Sequence, residues 1–283
     1  MLATQPLSVE TPSGKDVAYE NFPVGSWLLP ASLRPHVAVF YEFARAADDI
    51  ADNPKLNADE KIARLDGFED ALLGRSGDRA AFAKALAMRE SLARTDVTAD
   101  HCIHLLAAFK QDATKPRYRD WDDLMGYCVL SAASVGRYLL DLHGGSRDGY
   151  GPSDKLCMAL QVINHLQDCQ DDYRSLDRVY LPLDWIGDAG ASVEDLDAPA
   201  ASVALRIVFD RALAATETLL AGARVLPGGL VSRRLAMESA AIVKIAERLT
   251  GLLGRHDPLA RRIVLSKPEY LWCCLRGALS VLV

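Results

Sequence analysis

The chain has 283 residues, half of them apolar, and a formal net charge of −6. That length and apolar content supply a large core. The acidic balance, and the lack of a basic run with interleaved aromatics, exclude a nucleic-acid surface. An anionic ligand must then be held by a local site, not by the field of the whole molecule. No run of ~18 uninterrupted apolar residues argues a spanning helix, and the N-terminus has no basic-then-apolar leader pattern. The six cysteines include no Cys-x-x-Cys pair and read as buried thiols of a reducing cytoplasm.

Residues 1–18 are polar, with Pro6, Pro12 and Gly14, and read as a flexible arm. A single all-α domain is expected over 19–283. Pro30 and Pro35 bracket a helix start, with Ser32 as its cap. From Leu33 to Asp52, Val37, Phe40, Tyr41, Ala44, Ala47 and Ile50 recur at helical spacing. Asn53-Pro54 ends that helix. Helical patterns follow over 58–73, 78–95, 99–111, 121–143, 152–175, 200–226, 231–253 and 258–281. Gly144-Gly145 and Gly228-Gly229 are stops.

Within the 121–143 pattern, Val129 to Gly136 is rich in small residues. Small side chains either leave volume for a long ligand or let helices pack closely, and the sequence favours neither. The stretch 176–199, with Pro182, Gly187, Gly190 and Pro199, reads as an extended loop able to fold over a site. His101 and His104, at i and i+3, have no carboxylate at metal-ligand spacing evident in the sequence and read as helix surface or core. The apolar end from Tyr270 to Val283 reads as core, with a membrane surface as the other reading. No alternating Val/Ile/Thr run suggests a sheet.

Two acidic motifs carry the chemistry. The first is Asp48-Asp49-Ile50-Ala51-Asp52, and the second is Asp168-Cys169-Gln170-Asp171-Asp172. Each holds two Asp residues at i and i+4, on one helix face. Like charges at that spacing destabilise a helix, so two such pairs on apolar helices point to a cation between them. Hard divalent cations prefer oxygen ligands, and Mg²⁺ commonly takes one or two carboxylates plus substrate phosphates. The motifs therefore read as a Mg²⁺–diphosphate clamp.

Tyr41 and Arg45 precede the first motif on the same stripe, and Arg45 suits phosphate oxygens that a metal does not reach. Gln161, Asn164, Asp168 and Asp172 form a second stripe opposite Leu160, Val162, Ile163 and Leu166. Taken alone, the first motif is also a solvated acidic helix end, and the second is also the solvent face of an amphipathic helix.

Phe43 to Asp52, Asn164 to Asp172, Arg178-Val179-Tyr180-Leu181-Pro182, Tyr127-Cys128, Ser134-Val135-Gly136 and Arg262 to Lys267 together closely resemble the squalene and phytoene synthases. The resemblance covers about residues 20–280. It implies a single-domain isoprenoid synthase helical bundle with a central cavity. It also implies more than one Mg²⁺ ion on Asp48, Asp49, Asp52, Asn164, Asp168 and Asp172. Catalysis would fall to Tyr41, Arg45, Asp48, Asp52, Asp168 and Asp172, with Arg45, Asn164, Gln167, Tyr180 and Arg262 at the substrate.

Within the family the chain looks most like the bacterial hydroxysqualene synthases, which turn presqualene diphosphate and water into hydroxysqualene for hopanoid synthesis. Three departures from the condensing enzymes carry that reading. Glu20-Asn21-Phe22-Pro23 replaces a Ser-rich stretch, Gln167 stands where an Arg is common, and Asp177-Arg178 replaces Gly-Arg. Head-to-head condensation of two farnesyl diphosphates is the alternative activity. An isoprenoid- or metal-binding helical protein is the alternative outside enzymes. A di-iron bundle is disfavoured because neither motif has a Glu-x-x-His partner. The implied setting is the cytoplasm, with peripheral contact at the inner face of the membrane.

Overall fold

Several helices start where a side chain takes up the unpaired amides of the first turn, as Asn57, Asp120, Ser202, Ser232 and Ser266 do. A computed structural model describes residues 28–145 and 147–282. The arm expected over 1–18 and the Glu20–Pro23 departure lie outside the described residues. The described chain forms two compact units, which divide between Thr114 and Lys115. Helices carry both, and among the described residues there is no strand beyond an isolated parallel bridge between Arg117 and Val179.

The first unit holds α1 (Arg34–Ala51), α2 (Ala58–Leu72), α3 (Ala83–Thr95) and α4 (Asp100–Asp112). Asn57 caps α2 in a reciprocal capping box with Glu60. Asp96 closes α3 in the left-handed region, at φ 55°. Phe43 of α1 meets Phe68 of α2 at 6.0 Å between ring centroids, and Phe68 meets Phe82 edge-on at 5.8 Å. Lys110 of α4 bridges Asp66 and Glu69 of α2 at 2.6 and 2.7 Å. The face of α1 bearing Phe40, Phe43, Ala47 and Ile50 is buried.

The second unit holds α5 (Trp121–Cys128), α6 (Ser134–Leu142), α7 (Tyr150–Leu176), α8 (Leu183–Asp188), α9 (Val203–Ala223), α10 (Leu226–Gly229), α11 (Arg233–Leu253) and α12 (Lys267–Leu279). The 27-residue α7 is its axis, packed by α6, α9 and α11. A π-helical turn, Val129–Ala133, joins α5 to α6 and also packs on α7. At Gly136 a Cβ would come within 2.5 Å of the Ser153 hydroxyl and 2.6 Å of the Cys157 sulfur. The small residues there let α6 approach α7.

Four expectations change. No side chain caps α1, whose N-cap is Leu33, so Ser32 is not its cap. The loop over 176–199 contains α8 and a 3₁₀ turn at Val193–Asp197. The last helix starts at Lys267, not 258, because Ser266 and Glu269 form its capping box. The apolar end is core only in part: Cys273 and Gly277 are buried, while Leu271, Trp272, Leu275, Leu279 and Leu282 are exposed. None of the six cysteines, all among the described residues, forms a disulfide. Burial pushes the thiols of Cys102 and Cys157 up to about 12.

Candidate active site

On α1 the first motif divides between two faces. Ala46, Ala47, Ile50 and Ala51 are buried, which fixes the helix and leaves Tyr41, Arg45, Asp48 and Asp52 half-buried. Arg45 reaches one turn along the helix to Asp48 at 3.2 Å and Asp49 at 3.3 Å. Asp49 is buried, unlike Asp48 and Asp52. The partly exposed stripe thus carries a phenol, a guanidinium and two carboxylates, with Asp49 turned inward beneath Arg45.

On α7, Gln161, Asn164, Asp168 and Asp172 are all half-buried. Leu160, Val162, Ile163 and Leu166 are buried, and Asp171, Arg174 and Ser175 form the exposed side. The polar stripe is therefore separate from the helix's solvent face. That separation is what a ligand-facing stripe requires, since polar groups withdrawn from water need partners.

Arg262 lies against this stripe. Its guanidinium makes a fork to the two oxygens of Asp168, at 2.8 and 3.2 Å. The adjoining Ile263 is buried, and its carbonyl accepts from the buried Gln167 amide. Gln167 and Asp168, neighbours on α7, thus hold the neighbours Ile263 and Arg262. Spacing along the chain gave no sign of the Gln167 contact, because its partner lies 96 residues away.

Beside the stripe lies an aromatic cluster. Pro116 to Arg119 runs along Val179 to Asp184, joined by Val179 N–H to the Pro116 carbonyl at 2.9 Å and Leu183 N–H to the Tyr118 carbonyl at 3.0 Å. That pairing puts Tyr180 on Tyr118 at 5.6 Å, Tyr127 at 5.5 Å and His165 at 3.6 Å between ring centroids. Burial, then the nearby Arg178 charge, pushes the His165 pKa down to about 3, so its ring is neutral. Tyr118 and His165 escaped sequence reasoning, since a lone Tyr in a loop and a His inside an apolar run carry no periodic signal.

Asp177 is one of the three departures that the sequence offers from the condensing enzymes. It adopts φ 50° and ψ 37° at the end of α7, a left-handed conformation that Asp tolerates better than most residues. Arg117 holds the Asp177 carboxylate at 2.5 Å.

The donors of both stripes are oxygens, the ligand type of hard divalent cations. Among the described residues no three His, Cys, Asp or Glu side chains converge into a metal cage. Within each unit the donor set therefore fits an ion held by one or two carboxylates and completed by water and phosphate oxygens, as Mg²⁺ is.

The all-helical architecture is that of the isoprenoid synthases. A squalene synthase from Alicyclobacillus acidocaldarius matches with TM-score 0.72 and 28% identity, over 82% of this chain and 87% of that one. A dehydrosqualene synthase shares the fold, with TM-score 0.75 and 21% identity over 90% of this chain and 89% of that one. The chain belongs to the squalene/phytoene synthase family, whose model matches residues 16–269. Among its relatives, the hydroxysqualene synthase of Rhodopseudomonas palustris is 42% identical over 96% of this chain and 91% of that one. That of Zymomonas mobilis is 41% identical over 92% and 87%. A 15-cis-phytoene synthase of Paracoccus is 31% identical over 86% and 81%.

Proposed function

We propose that this enzyme converts presqualene diphosphate and water into hydroxysqualene and diphosphate, on the route to squalene and hopanoids. Its likeness to the hydroxysqualene synthases over nearly the whole chain carries this reading.

The reaction breaks a C–O bond, and the electron pair leaves with the diphosphate. The rearranged cation then takes a water oxygen and releases a proton. Asp48, Asp49, Asp52, Asn164, Asp168 and Asp172 are the candidate ligands of Mg²⁺, with Asp49 set apart from the other five by its burial. Bound there, Mg²⁺ supplies Lewis-acid neutralisation of the leaving diphosphate.

Arg45 adds a planar donor fork for phosphate oxygens. Arg262, anchored through Ile263 and Gln167, brings a second guanidinium beside Asp168. The aromatic faces of Tyr41 and Tyr180 suit a developing carbocation. His165, neutral behind Tyr180, adds no opposing charge. The substrate is a long-chain lipid, so we place the reaction at a membrane surface.

Separate incubations with presqualene diphosphate and with farnesyl diphosphate test this function. Hydroxysqualene is expected from the first and no turnover from the second. Consumption of farnesyl diphosphate alone would assign the condensing reaction instead, and turnover of neither would overturn both.

A further inference from the structure

We propose that the outward face of α12 docks this protein on an anionic lipid bilayer. Leu271, Trp272, Leu275 and Leu279 of this helix, and Leu282 just beyond it, are 49–66% exposed. Pro268 is exposed as well. At about 100° per residue, these positions fall within roughly 100° of arc. The buried seam is narrow and built of small residues. Cys273 and Gly277 are buried, and a Cβ on Gly277 would come within 2.4 Å of Ala241 Cα on α11. A surface helix ordinarily turns its large apolar side chains to the core. Here α12 seats on a small-residue seam and points leucines and a tryptophan at solvent.

The helix is held firmly in that orientation. Ser266 and Glu269 cap its start, and Arg248 of α11 pairs with Glu269. The acidic Glu269 is thereby occupied, and the exposed charges beside the apolar stripe are Lys267 and Arg276, one on each edge.

Those two basic edges decide the occupant. An apolar stripe with a tryptophan and flanking basic residues is the pattern of helices that lie in the headgroup layer. Anionic headgroups complement Lys267 and Arg276. A second copy of α12 laid face to face would instead set basic edges against basic edges, which costs energy. The proposed substrate gives such docking a purpose, and to that extent the inference rests on the proposed function. The binding itself is measured without substrate.

The test is co-sedimentation of the full chain with vesicles of phosphatidylglycerol and phosphatidylcholine, and with phosphatidylcholine alone. Binding to the anionic vesicles is expected, with weaker binding to the neutral ones. The double variant Leu275→Ser/Leu279→Ser should need at least about tenfold more lipid for half-maximal binding. Its helical circular dichroism and its turnover of detergent-dispersed presqualene diphosphate should match the parent. Should that variant unfold, Lys267→Glu/Arg276→Glu, on the exposed edges, tests the same point and should lose the preference for anionic lipid.

Absence of vesicle binding by the parent chain would overturn the proposal, as would full binding by a folded variant. Light scattering that shows a dimer dissolved by the leucine changes would assign the face to a second copy instead. Absence of turnover alongside intact vesicle binding would count against the proposed reaction and leave the docking face standing.

Discussion

At the scale of single residues, the carboxylate stripes were legible because helical spacing alone sets which side chains share a face. Asp168 and Asp172 are where that logic places them, in a half-buried row with Asn164. Asp168→Asn or Asp172→Asn is expected to lower kcat by about 10²–10³-fold if the lost carboxylate stabilises charge in the transition state. Thermal stability should change little, since the Arg262–Asp168 pair is partly exposed and worth ~1 kcal/mol or less. A melting curve beside the kinetics separates the two effects.

Gln167 was legible as a departure from an Arg and as a substrate-side residue, but its anchoring contact comes from a partner far along the chain. Gln167→Leu should leave the buried Ile263 carbonyl unpaired, at a cost of about 1–3 kcal/mol. KM for presqualene diphosphate should also rise, because Arg262 loses its anchor. Unchanged stability together with more eliminated hydrocarbon among the products would assign Gln167 to water capture rather than to anchoring.

At the scale of elements, most helix positions followed from apolar period and punctuation. The pattern over 231–253 matches α11, Arg233–Leu253, and that over 152–175 nearly matches α7. The largest misplaced boundary has a tertiary cause. Residues 258–266 have helical period, but Arg262 and Ile263 are tied to α7 and Ser266 restarts the helix, so tertiary contacts override the local pattern. The π-helical turn leaves no mark on periodicity, because one widened turn shifts the register inside an otherwise helical run.

The seam between α11 and α12 makes an element-scale prediction. At Gly277 the atoms in the way are backbone, at 2.4 Å for Ala241 Cα and 2.5 Å for its nitrogen. Gly277→Ala should therefore lift α12 and cost about 1–3 kcal/mol of stability in denaturant titration. Gly136→Ala meets only the side-chain ends of Ser153 and Cys157, and should cost less.

At the scale of the whole molecule, the acidic balance read from composition limits solubility and partners but not the response to acid. Burial pushes the His143 pKa down from 6.5, while its Nδ1 lies 2.7 Å from the Leu139 carbonyl. The unfolded chain takes up that proton near pH 6.5 and the folded chain resists it. Stability from this group is thus complete above that pH and falls as pH drops through it. The loss stays below ~1.4 kcal/mol per pH unit, the ceiling for one proton. His143→Gln should flatten part of the decline in melting temperature between pH 7 and 5, and an identical decline would clear His143 of any part in it.

The buried cysteines have a practical consequence. A maleimide or a peroxide attacks the thiolate, and thiols raised to about 12 hold almost none at neutral pH. Cys169 is raised by the same burial, and Cys273 and Cys274 are raised as well. The parent chain therefore offers a quiet background for chemical labelling. A single cysteine introduced at a chosen surface position would carry a fluorophore or spin label without prior removal of those native thiols, and brief oxidant exposure should spare these five raised thiols.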